Sequence, residues 1–160
     1  DHASVLGRPT TTILQAHQTL MSAESGTPVS YDRFRTWLKE SRMSDRVLLL
    51  NQQAASLPAD QAAEALLLLE KALQLQPKTA YLYYNKGCVL GTQGRLEEAK
   101  EAFAKALSLD DRMAEAYYNR GVVALLDGRT EQAIPDLSRA GELGFYRAYN
   151  LIKQAKKTLK

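Results

Sequence analysis

The chain has 160 residues, 45% of them hydrophobic and 24% charged, with a formal net charge of +3. This is an ordinary globular composition of one domain's length. No apolar run exceeds five residues, as in Ala65–Leu69, against the ~20 needed to span a bilayer. The lone Cys88 excludes an internal disulfide framework and a cysteine metal cluster. The charge excess lies in Lys153, Lys156, Lys157 and Lys160, where cations favour a helix C-terminus. The body is balanced and lacks the basic face of a nucleic-acid binder. Opening on Asp1, the sequence reads as a processed chain or a piece of a longer one.

Residues 1–45 follow no internal repeat. Ile13, Leu14, His17 and Leu20 share one face of a helix from Thr11 to Met21, which Gly26-Thr27-Pro28 ends. Ser30 caps a second helix, Tyr31 to Glu40, with the apolar stripe Phe34, Trp37 and Leu38. These predict an N-terminal helical hairpin, either a degenerate repeat or, as favoured here, a cap on the first unit that follows.

From residue 46 the chain repeats every 34 residues. Ala80-Tyr-Leu-Tyr-Tyr-Asn-Lys-Gly87 returns as Ala114-Glu-Ala-Tyr-Tyr-Asn-Arg-Gly121, and Gly94-Arg95 returns as Gly128-Arg129. Ala99 recurs as Ala133, and Lys71-Ala72-Leu73 as Lys105-Ala106-Leu107. Fixed-period self-similarity marks a helical array, so three units are predicted, 46–79, 80–113 and 114–147. The first is weaker. Leu49 stands where the others have an aromatic, and Gln53 where they have glycine, although Ala65, Leu69, Ala72 and Pro77 fit.

In the second unit a helix runs from about Thr79 to Thr92 and stops at Gly94. A second follows over Leu96 to Leu109, with Leu96, Ala99, Phe103, Ala106 and Leu107 on one face. The third unit repeats this with Tyr117, Gly121 and Ala124, a stop at Asp127-Gly128, then Ala133, Leu137 and Ala140. Thr130 is its expected N-cap. Pro135, one turn inside, removes a backbone donor. Residues 148–160 keep only a first helix, with Leu151 and Ala155, as a solvating end cap should.

The spacing of Tyr83, Gly87, Gly94, Ala99, Phe103 and Ala106, and again of Tyr117, Gly121, Gly128, Ala133, Leu137 and Ala140, resembles the tetratricopeptide repeat. The resemblance covers residues 46–160. It implies an all-α, right-handed α-α superhelix of about three helical hairpins, with the N-terminal hairpin and the C-terminal capping helix at its ends. Its Tyr-Asn-Lys-Gly and Tyr-Asn-Arg-Gly signatures look like bacterial versions of the repeat, often attached to larger cell-envelope proteins. Tyr83 and Tyr117 would then be core residues.

The resemblance also implies a concave groove lined by the first helices. The groove positions are here Asn51, Tyr81, Tyr84, Asn85, Glu115, Tyr118, Asn119 and Val122, with Thr92 and Leu125 beside them. Asn51, Asn85 and Asn119 occupy one register in three units, though asparagine has no strong helix preference. Two roles stand for them: gripping the backbone of an extended ligand, or tying adjacent helices together. Tyr84 and Tyr118 likewise either meet a partner or pack across the seam between units. The expected function is a protein-interaction scaffold that holds a partner polypeptide or peptide in the groove. The alternative is a structural or self-assembly domain of a larger protein, docking to flanking domains or to another copy as a homodimer. Neither nucleic acid nor membrane is expected among its partners.

The subclass of repeat that clamps acidic chaperone tails is disfavoured, because its cationic and amide positions are here Leu50, Ala54, Glu115 and Asn119, leaving only Asn85. A different register that draws on the N-terminal helices stays open. No catalytic constellation is present either. His2 and His17 have no acidic or cysteine partner at useful spacing, and Cys88 has no nearby histidine. Neither a phosphate-binding loop nor metal-ligand spacing occurs, so no enzyme, cofactor or metal is expected, and Cys88 reads as a small apolar filler.

Overall fold

The structure, a computed structural model, describes residues 44–159. The hairpin expected at the N-terminus therefore lies outside the described residues for all but its last two positions. Among the described residues there are seven α-helices and no strand. They are α1 (Asp45–Ser56), α2 (Ala62–Leu75), α3 (Ala80–Thr92), α4 (Leu96–Leu109), α5 (Ala114–Leu126), α6 (Thr130–Glu142) and α7 (Ala148–Thr158), with a short 3-10 turn, Ala59–Gln61, between α1 and α2. Each helix packs on the next in sequence, giving the hairpins α1–α2, α3–α4 and α5–α6 with α7 laid on α6. This is the expected all-α superhelical stack.

Local chemistry sets the ends. The hydroxyl of Ser44 accepts from the Val47 N–H at 3.4 Å, and Asp45 adds a carboxylate to the first turn of α1. The helix stops are built on glycine. Gly94 and Gly128 both take φ 76°, a left-handed conformation that costs a residue with Cβ. Each directs the chain back over the last turn: Arg95 N–H donates to Leu90 O at 3.0 Å and Arg129 N–H to Ala124 O at 2.8 Å, closing otherwise orphaned carbonyls. Gly144 repeats the device, with Phe145 N–H donating to Ala140 O. Thr130 departs from its expected role. It is the first residue of α6, and Arg129 holds the cap position without a side-chain bond. The helix runs through Pro135.

Small residues let the paired helices approach. A Cβ on Gly87 would lie 2.6 Å from the Phe103 ring, and one on Gly121 would lie 2.8 Å from Leu137 Cγ. Ala99, Ala106, Ala133 and Ala140 are fully buried opposite them. The first hairpin differs. Gln53 and Leu49 are exposed, and α1 buries Val47, Asn51 and Ala54 instead. These three stand 34 residues before Tyr81, Asn85 and Cys88 of α3.

Two layers result. The first helices α3 and α5 each bury nine of their thirteen residues. The second helices α2, α4 and α6 bury five each and leave their outer faces to water, as amphipathic helices do.

Candidate interaction face

Gly87 and Gly121 mark the sides of α3 and α5 that meet the second helices. About a third of a turn or more around each axis runs a stripe spaced by four, three and four residues, which one helical face requires. On α3 the stripe is Tyr81, Asn85, Cys88 and Thr92; on α5 it is Glu115, Asn119, Val122 and Leu126. Tyr84 and Tyr118 flank it. Asn51 on α1 continues the asparagine register.

The three asparagines are at most 1% exposed. Asn85 Nδ2 donates to Asn51 Oδ1 at 2.5 Å, joining α3 to α1. Asn119 Nδ2 donates to Tyr84 Oη at 2.9 Å, joining α5 to α3, and approaches Cys88 Sγ at 3.7 Å. Of the two roles open to the asparagines, tying adjacent units is the one these bonds display. Asn51 Nδ2 is buried with no acceptor among the described residues, although a buried donor normally finds one.

The tyrosines depart from expectation. Tyr83 and Tyr117 are only partly buried, whereas Tyr84 and Tyr118 are 2% and 4% exposed. The Tyr84 ring lies 5.8 Å from that of Phe103, and Tyr118 stacks on Phe145 at 4.7 Å. The reason is positional. Tyr83 and Tyr117 sit at the rim between paired helices, where Tyr117 Oη reaches Asp111 O at 3.1 Å. Tyr84 packs on Phe103 of its own hairpin and accepts from Asn119 of the next, while Tyr118 stacks on Phe145 beyond its own hairpin, so contacts between successive hairpins help to close both rings. Val122 is fully buried, while Tyr81 and Glu115 are partly buried.

Cys88 is fully buried beside Tyr84 and Asn119. Burial pushes its thiol up to about 12, against weaker lowering by hydrogen bonds from those two residues. A thiol held neutral is not a nucleophile. Its position in the stripe was legible in its 34-residue offset from Val122. Around the face, ion pairs bind the layers: Arg120 grips Asp136 with bonds of 2.8 and 2.7 Å, and Lys86 meets Glu70 at 2.7 Å. The described residues contain no group of three His, Cys, Asp or Glu side chains placed to hold a metal, and no described helix is long and apolar enough to cross a membrane.

Residues 84–144 match the family model of the tetratricopeptide repeat. Over those residues the helical units are similar to tetratricopeptide repeats. Solved structures of tetratricopeptide-repeat proteins share the fold. The first tetratricopeptide domain of Spaghetti (RPAP3), bound to an HSP90 peptide, superposes with a TM-score of 0.68 at 21% identity, over 73% of this chain and 95% of that one. MamA gives a TM-score of 0.65 at 24% identity, over 80% and 75%. YrrB, described as having an unusual peptide-binding site, gives 0.58 at 23% identity, over 92% and 74%. At these identities the likeness is one of fold. No curated protein sequence matches the chain.

Proposed function

We propose that this tetratricopeptide-repeat chain is a protein-interaction scaffold that holds a segment of a partner polypeptide against the stripes of α3 and α5. The supporting observation is that two neighbouring helices carry matched stripes, Tyr81–Asn85–Cys88–Thr92 and Glu115–Asn119–Val122–Leu126, on the side away from the second helices. Their partly buried members, Tyr81, Thr92 and Glu115, bring a ring, a hydroxyl and a carboxylate to one rigid support. Tyrosine supplies contact area and a polar tip together, which suits it to interfaces. Two of the fold neighbours carry a peptide or a peptide-binding site in their descriptions. Glu115 repels a carboxylate terminus and selects a segment with Lys or Arg at that point. Asn51, Asn85 and Asn119 hold the units in register, while Tyr81, Glu115 and Thr92 meet the ligand, with Tyr84, Tyr118, Val122 and Leu126 behind them. No step of bond chemistry belongs to this reading.

The test is capture from the source proteome by the native chain, by a Tyr81→Ala/Glu115→Arg variant, and by an outer-face Leu67→Ala variant, at matched thermal stability. The expected result is a partner held by the native chain and by Leu67→Ala but lost by the double variant. Equal capture by all three overturns the inner-face reading.

A second reading rests on α2, whose Leu67 and Leu75 are 64% and 46% exposed, with Leu49 of α1 at 51%. Such leucines suit docking to another copy or to a flanking domain. On that reading light scattering finds dimers that Leu67→Lys dissolves; a monomer at every concentration rules out self-pairing.

A further inference from the structure

We propose that the exposed face of α7 is a further docking surface, separate from the stripes of α3 and α5, which takes an acidic segment of a partner polypeptide. The face is built at one register. Tyr149, Lys153 and Lys156 stand 34 residues after Glu115, Asn119 and Val122 of α5, so they share one face of α7 at the same spacing. Asn119 and Val122 are closed against the stack. Lys153 and Lys156, their counterparts, are exposed, as are Tyr149, Tyr146 one turn before α7 gets under way, and Lys157 one turn after Lys153. The opposite side of α7, Ala148, Leu151, Ile152 and Ala155, is the one given to the core. The tyrosine at the head of the stripe is seated. A Cβ on Gly141 would lie 2.5 Å from Tyr149 Cζ, so α6 supports this ring while it stays 47% exposed, and Tyr146 beside it is 73% exposed.

Charge names the occupant. Residues 148–159 hold three lysines and no carboxylate, and Lys153, Lys156 and Lys157 form no ion pair among the described residues. The preference for cations at a helix C-terminus accounts for Lys156 and Lys157, in the last turn. It does not account for Lys153, in the middle of the helix, or for two open tyrosines. Carboxylates on the neighbouring elements are engaged: Asp127 by Lys100 and Arg129, and Glu142 by Arg139. Ammonium groups attract carboxylates, and tyrosine hydroxyls donate to them. The stripe is also short. Leu159 lines one cleft with Arg129 and Glu131, and Glu131 closes off the basic run there. From Tyr149 to Lys157 the helix rises by about 12 Å, the reach of about four extended residues. A nucleic acid or an anionic bilayer would extend past such a stripe, onto Glu131 and a body whose charges are balanced. A few acidic residues of a polypeptide fit within it.

The probe is a rhodamine-labelled peptide of consecutive glutamates between glycines, capped at both ends so that it carries no terminal carboxylate. Fluorescence anisotropy follows its binding to the full chain at low salt. Half-saturation is expected below about 100 μM, weakening as salt rises. Lys153→Gln/Lys156→Gln/Lys157→Gln should weaken it by roughly tenfold or more with the melting temperature unchanged, since these side chains are exposed and unpaired. Tyr146→Ser should weaken it as well. A matched set, Lys71→Gln/Lys78→Gln/Lys105→Gln, removes three exposed charges elsewhere and should leave binding as it is. Equal weakening by the matched set, or a native chain that does not bind the probe, overturns the proposal. Tighter binding of an oligodeoxythymidylate or of phosphatidylserine vesicles at the same lysines overturns the choice of a polypeptide. Tyr81→Ala/Glu115→Arg keeps the two surfaces apart and is expected to bind the probe as tightly as the native chain. Loss of the probe in that variant would move the acidic segment to the inner face and sink the α7 surface. Failure of the probe at α7 leaves the inner-face reading standing, because partner capture tests that separately.

Discussion

At Asn85 one amide does two things: it fills a helix register and it bonds to the next hairpin through Asn51. Asn85→Ala leaves Asn51 Oδ1 buried without its donor, so stability should fall by about 1–3 kcal/mol, read from urea unfolding. A double-mutant cycle with Asn51→Ala should then recover part of the loss as coupling. Gly87 is a sharper test, because two effects oppose each other there. Helix propensity alone favours Ala over Gly by up to about 1 kcal/mol, but the new Cβ meets the buried Phe103 ring at 2.6 Å. Overpacking should win, and Gly87→Ala should destabilise by about 1–3 kcal/mol; a gain in melting temperature would refute this packing. The thiol of Cys88 sets a pH dependence. Its folded value is raised to about 12, above an unfolded value of about 8.5, so unfolding releases a proton at alkaline pH. Its stabilising contribution is present below about pH 8.5 and is lost as pH rises toward the folded value. Cys88→Ser should flatten that part of the stability–pH curve.

Between elements, the ion pairs are unequal. Arg120 and Asp136 join α5 to α6 with two bonds and side-chain exposures of 29% and 16%. The hydrogen bonds to Asp136 hold the Arg120 guanidinium above its ordinary pKa. Asp136→Ala strands a partly buried guanidinium, and a loss of about 1–3 kcal/mol is expected, with little recovery in high salt. Arg139 and Glu142 form an exposed pair within α6 at 3.3 Å, beside a further bond from Arg139 to Tyr117; Glu142→Ala removes only the exposed pair and should leave the unfolding midpoint unchanged, as exposed pairs usually do. Parallel urea titrations of the two variants separate a bidentate inter-helix clamp from a surface pair.

Over the whole stack, stability should be graded. In a repeat array each unit touches only its neighbours. The first hairpin lacks the glycine that draws the others close, and α1 buries only three residues, with Leu49 half exposed. The middle helices α3 to α6 bury the largest side chains, among them Tyr84, Phe103, Leu90, Leu125 and Leu137. Native-state hydrogen exchange should therefore show α1 amides opening at lower free energy than those of α3 and α5. Equal protection along the stack would mean that the first hairpin is as tightly held as the rest.

The sequence by itself determined the helices and their stops, because these depend on neighbours within a few residues. The apolar spacing set α4 at Leu96–Leu109, and Gly94 and Gly128 set the turns, since only glycine enters φ 76° without strain. It also placed the stripes of the candidate face, since a 34-residue offset carries each residue to the equivalent point of the next unit. Tertiary structure alone decided which side chains were closed. Tyr83 and Tyr84 are adjacent and chemically identical, and only tertiary contacts, with Phe103 and Asn119, make the second the buried one. Likewise an asparagine ladder has the same sequence whether it faces a ligand or another helix. That choice depends on the 2.5 Å approach of Asn85 to Asn51, a distance set by the packing of two helices 34 residues apart and by no local preference of either residue.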